Sequence, residues 1–133
     1  TRGVVYPGPP PAPVTPHPAV ARNAQISEWF RQYNTLPAPH NPCSARVLVA
    51  ALTMARQWSA YHGRPVHLGE FGCYVQADPA SRCRYYADCR ANAEALGLGW
   101  AIWDWKAGFR YWDEATGQPV PGMRAALFPA ATP

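Results

Sequence analysis

The sequence lacks the features that would place it among membrane or nucleic-acid-binding proteins. No apolar run approaches the roughly 20 residues that cross a bilayer, so no membrane partner is expected. Lysine is nearly absent, and eleven of the twelve basic residues are arginines scattered singly from Arg2 to Arg124. Nucleic-acid binders usually cluster their basic residues on one face or stripe. The net charge of +4 therefore indicates a mildly basic, solvated surface and no nucleic-acid partner.

The common motifs for nucleotide, metal and serine-nucleophile sites are also missing. There is no G-x-S-x-G, no P-loop and no G-x-G-x-x-G. The cysteines Cys43, Cys73, Cys83 and Cys89 form no C-x-x-C pair and have no histidine at zinc-finger spacing. Neither a metal nor an organic cofactor is therefore expected.

The four cysteines leave the disulfide pairing open, because four allow three pairings. Cys83 and Cys89 are six residues apart. In a helix their Cα atoms would lie about 9 Å apart along the axis, beyond the reach of a disulfide. The sequence favours a bridge between Cys73 and Cys83.

The sequence has the length and composition of one globular domain, and it begins with a proline-rich stretch. The chain has 133 residues, of which 48% are hydrophobic and 15% charged. Residues 1–18 hold seven of the sixteen prolines, which predicts an extended loop or linker, or a ligand for a proline-binding module. Residues 19–133 are predicted to be a second unit, which carries the helices and strands. The chain opens without Met or a signal-peptide pattern, so we expect a processed product or a piece of a longer protein.

Hydrophobic periodicity predicts an α/β fold that is incomplete as given. In chain order the predicted elements are a helix through Ile26–Tyr33, a helix from Pro42 to Tyr61, a buried strand at Val66–Phe71, a helix from Asp78 to Leu96, a strand at Trp100–Trp105, a loop over residues 106–120 and a short helix at Pro121–Phe128. Asn41 is predicted to cap the second helix, with Pro42 in its first turn, and Gly63 to end it. Asp78 and Pro79 are the predicted cap and first-turn pair of the third helix. The second helix is predicted to carry one apolar stripe, made of Val47, Leu48, Ala51, Met54, Ala55, Trp58 and Tyr61. Strand, helix and strand form a parallel βαβ unit. Two parallel strands are too few for a stable sheet.

Glu70 is the first candidate for chemistry. It lies at the carboxyl end of an apolar strand, where ligands bind in parallel α/β folds. A carboxylate in such a place costs free energy unless it is paired or used. The flanking Gly69 and Gly72 would let a backbone or a sugar ring come close. The alternative is a structural glutamate paired with an arginine.

A cluster of aromatic residues is the second candidate. Six aromatics fall within thirteen residues: Trp100, Trp103, Trp105, Phe109, Tyr111 and Trp112. Flat aromatic faces are good platforms for the apolar faces of sugar rings. Trp103 and Trp105 are predicted to point to the same side of the strand, and Asp104 to pair with Lys106 or Arg110 in a structural role. The alternative for the cluster is core packing, which we expect for Trp100 and Trp112.

These two segments resemble a known enzyme family. Val66-His67-Leu68-Gly69-Glu70-Phe71-Gly72 resembles the strand-seven nucleophile segment of glycoside hydrolase family 5, the cellulase family of clan A. Gly99-Trp100-Ala101-Ile102-Trp103-Asp104-Trp105 resembles its eighth strand, and the match is specific over about residues 44–128. The resemblance implies the C-terminal portion of a (β/α)₈ TIM barrel, strands seven and eight with their flanking helices.

The resemblance also implies an activity and a set of site residues. Glu70 would be the catalytic nucleophile and Trp103 the sugar platform, with Trp105 and Phe109 as further substrate contacts. The implied reaction is retaining hydrolysis of β-1,4-linked glycans, above all by an endoglucanase (a cellulase). Such an enzyme of polysaccharide degradation is extracellular or periplasmic, and its partner is a β-glycan polysaccharide or oligosaccharide.

One part of the family pattern is missing. The family's acid/base glutamate stands in an Asn-Glu-Pro motif, and no such motif occurs here. A full barrel needs roughly 250 residues. We therefore expect a C-terminal fragment that is inactive alone, its acid/base residue lying outside the chain. Two other functions stay open: a non-catalytic carbohydrate-binding module that uses a Trp platform, and a proline-rich interaction adaptor.

Overall fold

The computed structural model describes residues 3–130 and confirms the predicted α/β class. Its elements in chain order are α1 (Ala24–Thr35), a 3₁₀ turn (Ala38–His40), α2 (Ala45–His62), β1 (His67–Phe71), α3 (Pro79–Ala95), β2 (Gly99–Ile102), β3 (Trp112–Asp113), β4 (Gln118–Pro119) and α4 (Met123–Leu127). No helix within residues 3–130 is long and apolar enough to span a membrane.

Helix α1 forms where the aromatic periodicity predicts it and holds the proline-rich segment. The Asn23 side chain caps the helix by accepting hydrogen bonds from the first-turn N–H groups of Gln25 and Ile26. Tyr33 is fully buried and stacks on Trp29 with ring centroids 5.0 Å apart. Its hydroxyl accepts from the Val5 N–H at 2.8 Å and donates to the Val5 carbonyl oxygen at 3.0 Å. The helix thus anchors the chain that precedes it.

Helix α2 begins at Ala45, three residues after its predicted start at Pro42. Ser44, and not Asn41, is the N-cap, and its hydroxyl accepts from the Val47 N–H. The Asn41 side chain is fully buried, and its amide donates to the carbonyl oxygens of Tyr33 and Leu36. The prediction for Asn41 was wrong because its side chain bonds backwards to the end of α1.

The predicted apolar stripe of α2 is largely uncovered. Four of its large side chains are exposed, namely Val47, Met54, Trp58 and Tyr61. Leu52 and Ser59 are the residues of this helix that are buried. The helix ends at Gly63, whose φ of 61° is the left-handed conformation expected of a helix-terminating glycine.

Strands β1 and β2 pair in parallel, as the βαβ pattern predicts. His67 pairs with Gly99, Leu68 with Trp100, and Phe71 with Ile102. Between the last two pairs β1 advances three residues while β2 advances two, so β1 bulges between Leu68 and Phe71. Bulges re-aim side chains and are common beside functional sites. Glu70 lies within this bulge, and each strand pairs with one neighbour among the described residues.

Helix α3 crosses between the two strands and supplies much of the core. Asp78 caps it by accepting from the Ser81 N–H, and Pro79 stands in the first turn, both as predicted. Its buried stripe runs along one face through Arg82, Tyr86, Cys89 and Ala93. This face packs on Phe71, Tyr111 and the buried residues Met123 and Leu127 of α4.

The region after β2 differs from its prediction in two ways. β2 ends at Ile102, three residues before the predicted end, because the Asp104 side chain accepts from the Ala107 and Phe109 N–H groups and turns the chain. The predicted loop contains a short antiparallel pair, β3 with β4, joined by a turn in which Gly117 has a φ of 62°. Helix α4 starts at Met123, two residues after the predicted start.

All four cysteines are free thiols, so the favoured Cys73–Cys83 bridge is not formed. The Cys83 thiol instead contacts the Pro121 carbonyl oxygen at 3.5 Å. Burial raises the pKa of Cys43 to about 11 and that of Cys89 to about 12, so both are protonated at neutral pH.

Candidate functional site

The candidate site lies where β1 and β2 end. Glu70 is solvent-exposed in the bulge of β1, and no arginine is paired with it among the ion pairs of residues 3–130. The structural alternative for Glu70, a buried carboxylate paired with an arginine, is therefore wrong. The strand is more exposed than the predicted buried strand, because one of its edges has no neighbour within the described part of the chain.

The two glycines beside Glu70 have different roles. Nothing lies within 4 Å of the position that a Cβ on Gly69 would take, so this side of Glu70 is open. A Cβ on Gly72 would collide with the Trp103 carbonyl oxygen and lie 3.1 Å from the Phe109 ring. Gly72 therefore permits the close approach of the chain after β1 to the chain after β2.

Trp103 combines an exposed ring with a fixed backbone. Trp103 is 53% exposed and directly follows the last residue of β2. Its N–H donates to the Phe71 carbonyl oxygen at 2.8 Å. Its own carbonyl oxygen lies 3.2 Å from the Tyr86 hydroxyl. Because the backbone that carries the ring is already held, less entropy is lost there when a ligand binds.

Arg82 and Tyr86, here called the α3 clamp, hold the two chain segments together. The Arg82 guanidinium donates to the Cys73 carbonyl oxygen at 3.0 Å and to those of Phe109 and Arg110 at 3.2 and 3.0 Å. The Tyr86 hydroxyl accepts from the Cys73 N–H at 3.3 Å and lies 3.0 Å from the Phe109 carbonyl oxygen. Both residues bond the segment after β1 and the segment after β2.

The two side chains of the clamp are buried, and this limits the access of water to their hydrogen bonds. Arg82 is 4% exposed and Tyr86 is 0% exposed. Burial raises the pKa of Tyr86, so its hydroxyl stays a donor at neutral pH. The sequence analysis missed both residues. The available signal was a charged residue, Arg82, on the helix face that also carries Tyr86, Cys89 and Ala93.

The two further substrate contacts that were predicted, Trp105 and Phe109, occupy different surroundings. Trp105 is 55% exposed, and its ring stacks on Trp112 with centroids 5.3 Å apart. Phe109 is half-buried and meets the Tyr74 ring edge-on at 5.3 Å. Since the strand stops before Trp103, the expected shared direction of Trp103 and Trp105 along a strand does not apply. Their roles in substrate binding stay predictions.

Asp104 has the structural role that was predicted, with other partners. Its carboxylate accepts from the Ala107 N–H at 2.7 Å and from the Phe109 N–H at 3.2 Å. Lys106, one of the predicted partners, instead pairs with Glu114 at 3.0 Å. Asp104 therefore shapes the loop that carries Phe109.

The remaining glutamates are each paired with a basic residue. Glu28 pairs with Arg31 at 2.6 Å, and Glu94 pairs with Arg90 at the same distance. The hydrogen bond from Arg31, with a second from Gln32, lowers the pKa of Glu28 to about 2, so this carboxyl group cannot hold a proton at neutral pH. No cluster of three or more His, Cys, Asp or Glu side chains that could hold a metal ion occurs within residues 3–130.

No protein-family model matches the sequence, and no curated protein is significantly similar to it. Several solved structures, however, are similar to this chain. A hyperthermophilic endo-β-1,4-glucanase, solved in complex with substrate, is 31% identical, with a TM-score of 0.59 over 62% of this chain and 27% of that chain. An endoglucanase is 28% identical, with a TM-score of 0.60 over 63% of this chain and 28% of that chain.

The endoglucanase Cel5A of Thermotoga maritima is 24% identical, with a TM-score of 0.62 over 82% of this chain and 35% of that chain. At that identity it is similar in fold alone. The chain thus spans 27–35% of the length of these three solved chains. It has a cellulase-like α/β fold that corresponds to part of an endoglucanase.

Proposed function

We propose that the chain is the C-terminal part of a retaining glycoside hydrolase of family 5 that acts on β-1,4-linked glycans. Within that family we propose an endoglucanase. One observation carries the proposal: Glu70 is exposed in a bulge at the end of β1, beside the fixed Trp103 at the end of β2. The similarity to an endo-β-1,4-glucanase solved with its substrate supports the same reading. In this proposal β1 and β2 are strands seven and eight of the barrel.

Glu70 is the nucleophile in the proposed mechanism. Its carboxylate attacks the anomeric carbon, an ester bond forms, and the glycosidic oxygen leaves with the bonding electron pair and takes a proton from an acid group. Water then hydrolyses the ester and restores the carboxylate. Trp103 presents a flat apolar face on which a sugar ring of the substrate stacks.

The acid group lies outside this chain in the proposal. A retaining enzyme needs a second carboxyl group about 5 Å from the first. Each of the other glutamates, Glu28, Glu94 and Glu114, is held in an ion pair with a basic residue. We expect the chain alone to release no reducing ends from a β-glucan, and its exposed α2 stripe and single-neighbour strands to pack against the rest of a barrel.

The proposed place of action is extracellular or periplasmic. A polymeric glycan does not cross a membrane, so an endo-acting enzyme must meet it outside the cytoplasm. We propose a β-glycan polysaccharide or oligosaccharide as the binding partner of the chain.

Covalent labelling tests the role of Glu70 without the acid group. 2,4-Dinitrophenyl 2-deoxy-2-fluoro-β-cellobioside carries a leaving group that departs as the phenolate and needs no proton. Attack by Glu70 forms a carboxylate–C1 ester, the C1–O(aryl) bond breaks, and the fluorine slows hydrolysis of the ester. Mass spectrometry should place the label on the peptide that contains Glu70.

Two variants complete this experiment. Glu70→Gln should abolish labelling, whereas Glu114→Gln, which alters an exposed glutamate paired with Lys106, should label like the wild-type chain. A label elsewhere, or equal labelling of the Glu70→Gln variant, contradicts the proposed nucleophile.

A second candidate function is a non-catalytic carbohydrate-binding module. The observation that favours it is the exposed Trp103 ring on a backbone held at both its N–H and its carbonyl oxygen. In that case Trp103→Ala abolishes β-glucan binding, Glu70→Gln hardly affects it, and no covalent label forms. The labelling and binding measurements together separate the two functions.

A further inference from the structure

A groove of about 710 Å³ lies beside the candidate site, between the proline-rich segment and the chain that follows β1. One side is formed by residues 13–18, here called the proline wall, with Gly3. The other side is formed by Tyr74 and Gln76. Neither the proposed hydrolase nor the proposed binding module uses this groove.

The proline wall is held in place by α1. The Asn34 side-chain amide donates to the Val14 carbonyl oxygen, and its oxygen accepts from the Val14 N–H, both at 2.9 Å. This paired contact lies next to Pro13 in a segment whose prolines have a restricted φ. The wall is therefore pre-organised, and little conformational entropy would be lost when it contacts a ligand.

The Tyr74 side of the groove is tied to the candidate site. The Tyr74 ring meets Phe109 edge-on, and the backbone at Gly108 packs so closely on it that a Cβ there would lie 2.7 Å from the ring. The Val75 N–H donates to the Gly108 carbonyl oxygen at 2.9 Å. Tyr74 nevertheless remains 40% exposed. It is an aromatic surface fixed by the same loop that carries Phe109.

The chemistry of the groove suits a neutral, hydroxyl-rich ligand. The His17 Nδ1 accepts from the Ala19 N–H at 3.2 Å, so in the neutral imidazole the proton is on Nε2, which is a donor. Thr15 and Gln76 add hydroxyl and amide groups, and Tyr74 adds an aromatic face. The described residues that line the groove include no lysine or arginine, which disfavours a phosphate or another anion.

We propose that this groove is a further glycan subsite that binds an outer sugar residue of the chain whose inner residues lie at Glu70 and Trp103. The inference rests on the proposed function. Tyr74 follows Glu70 by four residues, which span at most about 14 Å of extended chain. A glycan that extends from the site toward this side can therefore reach the groove, with Tyr74 stacking on a sugar ring and His17 donating to a hydroxyl.

The dependence of affinity on oligosaccharide length tests the subsite. Isothermal titration calorimetry on the full chain would compare cellobiose, cellotetraose and cellohexaose. The variant Tyr74→Leu keeps an apolar contact for Phe109 and removes the aromatic face. It should weaken cellohexaose binding about tenfold and leave cellobiose binding unchanged. His17→Ala should weaken cellohexaose binding about threefold.

The matched control is Tyr61→Leu, the same substitution at an 86% exposed tyrosine of α2 that does not line the groove. It should bind every oligosaccharide like the wild-type chain. Circular dichroism shows whether Tyr74→Leu folds. If it does not, Asn34→Ala, which releases the proline wall, replaces it with the same expected dependence on length.

The outcomes separate this inference from the proposed function. Equal loss for short and long oligosaccharides, or no loss in the Tyr74 and Asn34 variants, overturns the subsite and leaves the Glu70 labelling unaffected. Binding that depends on Tyr74 but not on Trp103 supports the groove and contradicts the Trp103 platform. If no oligosaccharide binds, or if a proline-rich peptide binds the groove in its place, the subsite is overturned, and the labelling experiment still decides the role of Glu70.

Discussion

Removal of the Tyr86 hydroxyl oxygen from the α3 clamp should destabilise the folded chain measurably. In Tyr86→Phe the ring stays and the hydroxyl is lost. The Cys73 N–H and the Trp103 carbonyl oxygen then lose their contacts at 3.3 and 3.2 Å, while the Phe109 carbonyl oxygen keeps its bond from Arg82. A buried polar group without a partner costs about 1–3 kcal/mol.

We expect Tyr86→Phe to lower the free energy of unfolding by about 2 kcal/mol. This value is below the sum for two lost partners because the Cys73 N–H makes only a long bond to the hydroxyl, and because the hydroxyl proton is divided between the Trp103 and Phe109 carbonyl oxygens. For a domain of this size that corresponds to a fall in Tm of roughly 5–10 °C. Urea denaturation followed by tryptophan fluorescence would measure the free energy. Amide hydrogen exchange would show faster exchange at Cys73 before global unfolding occurs.

The neighbouring tyrosine is the matched control. Tyr85 is half-buried on the same helix, and its hydroxyl lies near the Cys89 thiol and not at the clamp. Tyr85→Phe should cost less than ~1 kcal/mol, since a thiol is a weak hydrogen-bond partner. Equal destabilisation by the two substitutions, with unchanged exchange at Cys73, would refute the clamp.

Three further predictions follow from local geometry. Gly72→Ala should lower the free energy of unfolding by ~1–3 kcal/mol, because its Cβ meets the Trp103 carbonyl oxygen, whereas Gly69→Ala should be nearly neutral in urea denaturation. The pKa of Glu28 is about 2 in the folded chain against the usual 4.5. Its contribution to stability is therefore complete above pH 4.5 and is lost as pH falls through 2, and NMR titration of the carboxyl group would measure the pKa. Cys89 is buried and its pKa is about 12, so iodoacetamide should not alkylate it at pH 8 until the chain is unfolded, as mass spectrometry would show.

The contrast between two capping residues explains which elements could be predicted. Asp78 followed by Pro79 was predicted to begin α3 and does, because an N-cap bonds to N–H groups two or three residues ahead in the same segment. Asn41 followed by Pro42 has the same local appearance. Its side chain, however, bonds to the end of α1, and this contact requires the tertiary fold.

The candidate site shows the same division. Glu70 was named from its strand position and from resemblance, and Trp103 from the aromatic cluster and from resemblance. The structure places Glu70 near the end of β1, and it places Trp103 directly after β2, although Trp103 was predicted to lie inside a longer strand. The bulge that holds Glu70 was not predictable, because it depends on the register between β1 and β2. Arg82 and Tyr86 were missed for a related reason: their partners are backbone carbonyl and N–H groups, which carry no side-chain signal in a sequence.

The sequence by itself determined the α/β class, the βαβ order and the glutamate at the end of the first strand. These follow from hydrophobic periods of 3.6 and 2 residues and from local turn and cap chemistry. Only the tertiary structure decided that the α2 stripe is exposed, that the α3 clamp joins the two strand ends, and that the proline wall forms a groove with Tyr74. Those features depend on contacts between residues far apart in the chain, and a periodic pattern specifies a face without specifying what covers it.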